Sequence, residues 1–332
     1  MVSPHSPKIL WVSLVLMLVL AAAMVLGLSI GSSTIGLKTV WASLFTSAGD
    51  ATHQAIIWKI RLPRVLLAAL VGATLSLGGL VFQAILKNPL AEPYILGISG
   101  GAAIGAIIGI IMGLSRIPGV GIMAFLGSLA TLLLILSISS GSALLIRDTL
   151  LLSGVMVNAF CTAVIMFLLS MTQDSRLHTI IFWLMGDLSA SPLSQVGLTA
   201  AILFPCFVII FVYSHQMNLL LLGSDMAASM GVSVRRVTLT LLVITSFMVS
   251  TTVSQCGLIG FVGLVVPHLF RLGVGPDHRI LVPCCIFGGG AYMVVCDLLA
   301  RWLPAHGEMP DGVITAMIGA PLFILLLRRL QR

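Results

Sequence analysis

Few side chains in this sequence could carry chemistry, and those inside apolar segments are the first to consider. Asp297 and Arg301 are four residues apart, a spacing that on a helix predicts an ion pair that lowers the cost of a carboxylate near lipid. In the alternative, Arg301 stays partly free to bind an acidic partner. His268, next to Pro267, has the chemistry of a ligand or a proton carrier, although a histidine hydrogen bonded within a helix bundle is more common.

The sequence lacks the motifs of catalysis and of metal binding. The six cysteines lie in or beside apolar segments without metal-ligand spacing, so we interpret them as reduced and expect no metal and no cofactor on this chain. There is no GxxxxGK[ST] phosphate loop, so the chain should not hydrolyse ATP. His268 has no acidic or nucleophilic neighbour in sequence, which argues against an intramembrane enzyme. We therefore expect a protein that is not an enzyme.

The elements that position these residues belong to a mostly apolar chain. Hydrophobic residues make up 59% of it, charged residues 8%, and the mean hydropathy is +1.17. Soluble domains carry about 25% charged residues, so this chain cannot cover a globule with polar surface and must lie in lipid. The formal charge of +7 comes from single and paired basic residues between apolar runs, which indicates membrane topology rather than nucleic-acid binding.

Continuous apolar runs predict an all-α fold of about ten transmembrane helices in a single domain, residues 1–332. Barrel strands would instead alternate apolar and polar residues. The first run, Ile9 to Leu28, is longer than the roughly 7–15 residues of a signal-peptide core, which favours an uncleaved helix. The eighth predicted span is short and rich in glycine and proline. The ten spans are approximately 9–29, 64–83, 93–112, 118–138, 149–170, 192–213, 237–256, 257–271, 280–300 and 312–328.

The lysines and arginines predict the orientation of the bundle. With the N-terminus in the cytoplasm, ten basic residues lie on the cytoplasmic side and seven outside, which together are the 17 in the sequence. This bias favours cytoplasmic N- and C-termini. Lys59, Arg61 and Arg64 lie on the outer side, although basic residues are ordinarily enriched on the cytoplasmic side. A role other than setting the topology must therefore explain them.

Glycines and prolines predict how some of the helices pack and break. Five glycines spaced four residues apart, from Gly97 to Gly113, predict a smooth stripe for tight helix packing, with a glycine-lined solute route as the alternative. Gly257, Gly260 and Gly263 predict irregular backbone at membrane depth, which is tolerated only when it is buried in protein or lines a cavity. Residues 83–93 read as a cytoplasmic turn.

A segment at about 219–237 is too polar to span the membrane. Met226 to Met230 could form a short amphipathic helix between Gly223 and Gly231. Such a helix at the cytoplasmic surface would suit docking to a partner, and an ordinary loop fits the pattern equally well.

Five segments in the same order resemble one family. From about residue 60 to the C-terminus they are similar to the FecCD/BtuC-type permeases of binding-protein-dependent ABC importers, which carry iron-siderophore, haem or vitamin B12. Residues 1–55 add nothing specific. The segments are RLPR at Arg61–Arg64, QAILKNPLAEPYILGISGGAAIG from Gln83, FWLMGDLS from Phe182, GFVGLVVPHLFR from Gly260 and DGVITAMIGAPLFILLLRR from Asp311.

The resemblance implies a type II ABC importer permease fold in the bacterial inner membrane. Two permease subunits, identical or paralogous, would surround a pathway, with two cytoplasmic ATPase subunits that hold ATP and Mg and a substrate-binding protein outside. Solute would move by ATP-driven alternating access. The alternative is an ion-coupled secondary transporter that acts without an ATPase, and the scarcity of intramembrane charges argues against it.

The resemblance also implies roles for individual residues. Arg61, Arg64 and Arg301 match arginines that meet glutamates of the binding protein, and a guanidinium suits paired hydrogen bonds to a carboxylate. Contact with phospholipid headgroups is the alternative. A cytoplasmic gate would lie near Asp148 and Thr149. The ATPase-coupling helix would comprise Gly223, Ser224, Asp225, Met226, Ala227, Ala228, Ser229, Met230 and Gly231.

Overall fold

The computed structural model describes residues 6–31, 36–45, 50–139, 147–189, 191–304 and 307–330. All regular elements in these ranges are helical, which confirms the all-α prediction. The α-helices are α1 (Ser6–Ser29), α2 (Leu37–Phe45), α3 (Ala51–Ile56), α4 (Leu62–Leu86), α5 (Ile98–Ile111), α6 (Gly121–Ser139), α7 (Arg147–Ser170), α8 (Asp174–Met185), α9 (Leu193–Val212), α10 (Ser214–Leu221), α11 (Ser224–Ser229), α12 (Val234–Cys256), α13 (Val262–Val274), α14 (His278–Trp302) and α15 (Asp311–Leu330). Two π-helices (Ile57–Arg61 and Arg116–Val120) and one 3₁₀-helix (Pro93–Leu96) complete the set.

Ten of these helices overlap the ten predicted spans, although α5 and α13 each begin five residues later than predicted. Within the described ranges, seven helical segments are long and apolar enough to cross a membrane, and three shorter apolar helices accompany them. The eighth span is the 13-residue α13, so its predicted shortness is confirmed. The chain is therefore a multi-pass membrane protein. Following the orientation predicted from charge, we call the end of the bundle with Arg61 and Arg301 the outer end and the opposite end, with α11, the inner end.

Helix α4 lies at the centre of the bundle, where α12, α13 and α14 pack around it. Two glycines permit this approach. A Cβ atom on Gly72 would lie 2.1 Å from the carbonyl oxygen of Gly289 on α14, and one on Gly79 would lie 1.8 Å from that of Gly263 on α13. Helices in lipid commonly associate by close backbone approach through small residues. Moving apolar side chains from lipid into a helix interface gains no hydrophobic free energy.

The predicted glycine stripe is only partly on one helix. Gly101 and Gly105 pack α5 against α6, where a Cβ atom would lie 2.4 Å and 2.0 Å from backbone oxygens of α6, which confirms the packing interpretation there. Gly97 and Gly113 have φ angles of +67° and +73° and lie outside the helix. The predicted span 93–112 is therefore too long, because the left-handed Gly97 separates the turn Pro93–Leu96 from α5.

The irregular backbone predicted between α12 and α13 is present. Side chains from the segment between α4 and α5 form hydrogen bonds with its backbone N–H and carbonyl groups. The Tyr94 hydroxyl donates to the carbonyl oxygen of Ile259 (2.6 Å) and accepts from the Ile259 N–H (3.0 Å). The Glu92 carboxylate accepts from the N–H of Phe261 (3.2 Å), which has a φ of +67°. Glu92 belongs to the segment 83–93 interpreted as a cytoplasmic turn, and Tyr94 follows it directly, so the end of that segment instead folds back into the bundle.

Candidate functional site

A cavity of about 230 Å³ opens at the outer end between α1, α4 and α14. Arg61 ends the π-helix before α4, Arg64 lies in the first turn of α4, and Arg301 lies in the last turn of α14. Arg61 and Arg64 are three residues apart, and Arg301, 237 residues after Arg64, meets them in one place. We call this site the arginine pocket; it is lined by Gly31, Ile56, Ile60, Arg61, Arg64, Arg301 and Glu308.

Beneath the pocket, Asp297 bridges two of the arginines. Its carboxylate accepts from Arg64 Nε at 2.5 Å and from Arg301 Nη2 at 2.8 Å, and the aspartate is fully buried. The predicted pair between Asp297 and Arg301 is therefore confirmed. Arg64 is a second partner that sequence reasoning missed, because it is 233 residues away and no local spacing indicates it.

The arginines also bind the end of α1. Arg61 Nη1 donates to the carbonyl oxygens of Leu28 (2.7 Å) and Ser29 (3.0 Å), and Arg301 donates to that of Gly27 (3.2 Å). The last carbonyls of a helix have no partner within it and carry partial negative charge, so guanidinium groups stabilise them. The N-terminal helix, to which no role was assigned from sequence, thus ends at the pocket, which Gly31 lines just beyond it.

Glu308 lies at the rim of the pocket, in the loop between α14 and α15. Its carboxylate accepts a hydrogen bond from Arg64 Nη1, and its side chain is 46% exposed. Arg61, Arg64 and Arg301 are only 4%, 4% and 7% exposed. A partner at the outer end would therefore reach the edges of buried arginines that already bind groups of their own chain. The docking role of these arginines stays a prediction.

At the inner end, α11 forms the short helix predicted within the polar segment. Gly223 and Gly231 flank it with φ angles of +117° and +83°, which favour glycine. Ala227 is buried against the bundle, whereas Met226 and Met230 are exposed. The other members of the predicted coupling segment, Ser224, Asp225, Ala228 and Ser229, are exposed as well. An exposed pair of methionines on a polar helix suits protein contact, and the coupling role itself is untested.

A hydrogen-bond network connects the inner surface to α14. Asn218 of α10 donates to the Asp277 carboxylate (2.7 Å) and accepts from the His278 N–H (2.9 Å), so α10 is fixed to the start of α14. Helix α14 has 25 residues, about 37 Å, and ends at the arginine pocket. The arginine pocket and α10, which leads into α11, therefore lie at opposite ends of α14, about a bilayer thickness apart.

The remaining predicted positions are not part of either surface. Thr149 lies near the start of α7 and lines a cavity of about 430 Å³ with Ser153 and Met156, while the side chain of Asp148 lies outside the described residues. His268 is buried with its ring edge-on to Phe323, and neither ring nitrogen has a hydrogen-bond partner among the described residues. The gate near Asp148 and Thr149 stays a prediction.

Known proteins resemble this chain in sequence and in architecture. The family model described as the FecCD transport family matches residues 17–329. The hemin transport system permease protein HmuU of Yersinia pestis is 38% identical over 321 residues, 94% of each chain. The vitamin B12 import system permease protein BtuC of Salmonella arizonae is 38% identical over 281 residues, 84% of each chain.

A solved structure agrees with these relatives. A metal-chelate type ABC transporter in an inward-facing conformation superposes with a TM-score of 0.86 at 33% identity, covering 97% of this chain and 99% of the other. The family match, over residues 17–329, includes the residues that line the arginine pocket and α11. The chain, whose described residues form ten apolar helices, is a permease subunit of the FecCD transport family of ABC importers.

Proposed function

We propose that this chain imports an iron-siderophore complex, haem or vitamin B12 across the bacterial inner membrane by ATP-driven alternating access. The observation that carries the proposal is the placement of the arginine pocket at one end of α14 and of α10, which leads into α11, at the other end. One end suits an acidic partner that delivers solute, and the other suits a partner that supplies motion. Relatives named as hemin and vitamin B12 permeases support this class of cargo.

The partners follow from the chemistry of the two ends. The three arginines at the outer end suit carboxylates of a substrate-binding protein, since guanidinium groups pair with carboxylates in a fixed geometry. The exposed face of α11 suits a cleft in a cytoplasmic ATPase subunit, which would hold ATP and Mg. In this orientation both termini are cytoplasmic. A second permease subunit, identical or paralogous, completes the assembly.

The mechanism requires no chemical change in the solute. ATP binding draws the ATPase subunits together, and α11 passes the motion to α10 and, through Asn218, to α14. The permease halves rock and release the solute inward, and hydrolysis resets them. The chain contributes surfaces and a pathway rather than a catalytic group.

Reconstitution in lipid vesicles tests the proposal. The permease with its ATPase subunits should take up labelled cargo only when ATP and the loaded binding protein are both present. An ATPase variant without its phosphate-loop lysine is the control and should show no uptake. Uptake driven by a proton or sodium gradient in vesicles without the ATPase would instead establish the secondary transporter and refute the proposal.

A further inference from the structure

The docking of a binding protein at the arginine pocket, on which this inference depends, meets an obstacle in the structure. Each arginine is buried, and an incoming carboxylate needs guanidinium N–H groups that are already hydrogen bonded. The Glu308 carboxylate occupies Arg64 Nη1 on the exposed side of the cluster. We propose that Glu308 occupies the position of a partner's carboxylate, so that docking exchanges Glu308 for a glutamate or aspartate of the binding protein.

The geometry of Arg64 permits this exchange. Its Nε atom binds the buried Asp297, and its Nη1 atom binds Glu308 at the rim. Release of Glu308 therefore leaves the guanidinium held in place by Asp297, with one edge turned to the pocket. Because one carboxylate replaces another, the charge on Arg64 is never left unpaired, which for a buried group would be strongly destabilising.

The position of Glu308 also permits it to leave. It lies between α14 and α15, where the Met309 N–H donates to the carbonyl oxygen of Ala300 (3.1 Å) and anchors the following residue to α14. Gly307 precedes it with a φ of +76° and open space around it. The side chain can thus rotate into solvent without moving either helix.

Binding measurements with the purified binding protein test the exchange, with the permease and its ATPase subunits embedded in lipid nanodiscs. Glu308→Gln keeps the side-chain size and removes the charge that competes for Arg64. Because the Glu308 carboxylate is half-exposed, we take the about 0.2–1 kcal/mol of a solvent-accessible ion pair as the strength of its competition, which corresponds to a Kd lowered by about 1.4- to fivefold. Asp174→Asn, at an exposed carboxylate on α8 outside the pocket, removes the same charge and should leave Kd unchanged.

A double-mutant cycle distinguishes two effects of the Glu308 charge on Kd. One is competition with the partner's carboxylate for Arg64, and the other is a long-range electrostatic effect on the partner. In an Arg64→Lys background the ammonium group cannot present the two edges of the guanidinium, so Glu308→Gln should change Kd by less than it does beside Arg64. An equal change in both backgrounds would overturn the exchange.

The outcomes distinguish this inference from the proposed function. If the wild-type complex does not bind the binding protein, the docking function fails and the exchange fails with it. If the wild type binds but Glu308→Gln leaves Kd unchanged or raises it, docking stands and the exchange is wrong. A raised Kd would identify Glu308 as a residue that positions Arg64 for the partner.

Discussion

Replacement of the buried Asp297 by asparagine tests whether this carboxylate holds the outer end together. Asp297 is fully buried and accepts from both Arg64 and Arg301. Asparagine has nearly the same shape but no charge, so two buried guanidinium groups would lose their shared counter-ion. Removal of one partner from a buried ion pair costs about 3–5 kcal/mol. This corresponds to a folded-to-unfolded ratio lowered by about a hundredfold to a few thousandfold.

Thermal unfolding of the detergent-purified protein, followed by size-exclusion chromatography, measures this loss. Asp297→Asn should unfold at a clearly lower temperature than wild type, and the exposed Asp174→Asn should not. Adding Arg301→Gln to Asp297→Asn removes one of the stranded charges, so the double variant should lose less stability than the sum of the single variants. Wild-type stability of Asp297→Asn would refute the claim that the carboxylate balances these arginines.

Three further predictions concern other parts of the chain. Met226→Glu on α11 should weaken association with the ATPase subunits in a pull-down, whereas Met171→Glu, at an exposed methionine beyond the outer end of α7, should not. Tyr94→Phe removes both hydrogen bonds to the linker between α12 and α13 and should lower the free energy of unfolding by about 1–3 kcal/mol in a denaturant titration. Burial alone would raise the pKa of Asp187, but hydrogen bonds from Ser189 and the charge of Arg116 lower it below its ordinary value of 3.8. The ion pair between Asp187 and Arg116 should therefore contribute its full stability above pH 3.8 and lose it as the pH drops through the lowered pKa of Asp187. The difference in Tm between wild type and Asp187→Asn should then shrink in acid.

The spans were predictable because a membrane helix leaves a local signal. A run of about 20 apolar residues can be recognised from the local sequence alone. Each of the ten predicted runs corresponds to an apolar helix among the described residues. The pair of Asp297 and Arg301 was predictable for the same reason, since its partners are one turn apart. The short helix α11 could be placed between two glycines because each adopts a positive φ.

Contacts between distant segments leave no such signal. Arg64 meets Asp297 across 233 residues, and Tyr94 meets Ile259 across 165. Spacing and hydropathy describe each segment alone, so Arg301 could be grouped with Arg61 and Arg64 only through resemblance to a family. Nothing in the sequence indicated that Glu308 would meet Arg64, because loop carboxylates are ordinarily solvated. The fold-back at Glu92 was missed because its proline-rich context favours a turn.

Helix α14 contains Pro283 in its second turn, near the end that Asn218 holds. Proline removes one hydrogen bond from the helix and is the usual place for a bend. From there to Arg301 the helix runs 18 residues, about 27 Å, so a bend of about 5° would swing Arg301 sideways by about 2 Å. That displacement exceeds what its contacts with Gly27 and Ile30 tolerate. A small hinge movement near the inner face would thus break the hydrogen bonds between Arg301 and the end of the N-terminal helix on the far side of the membrane.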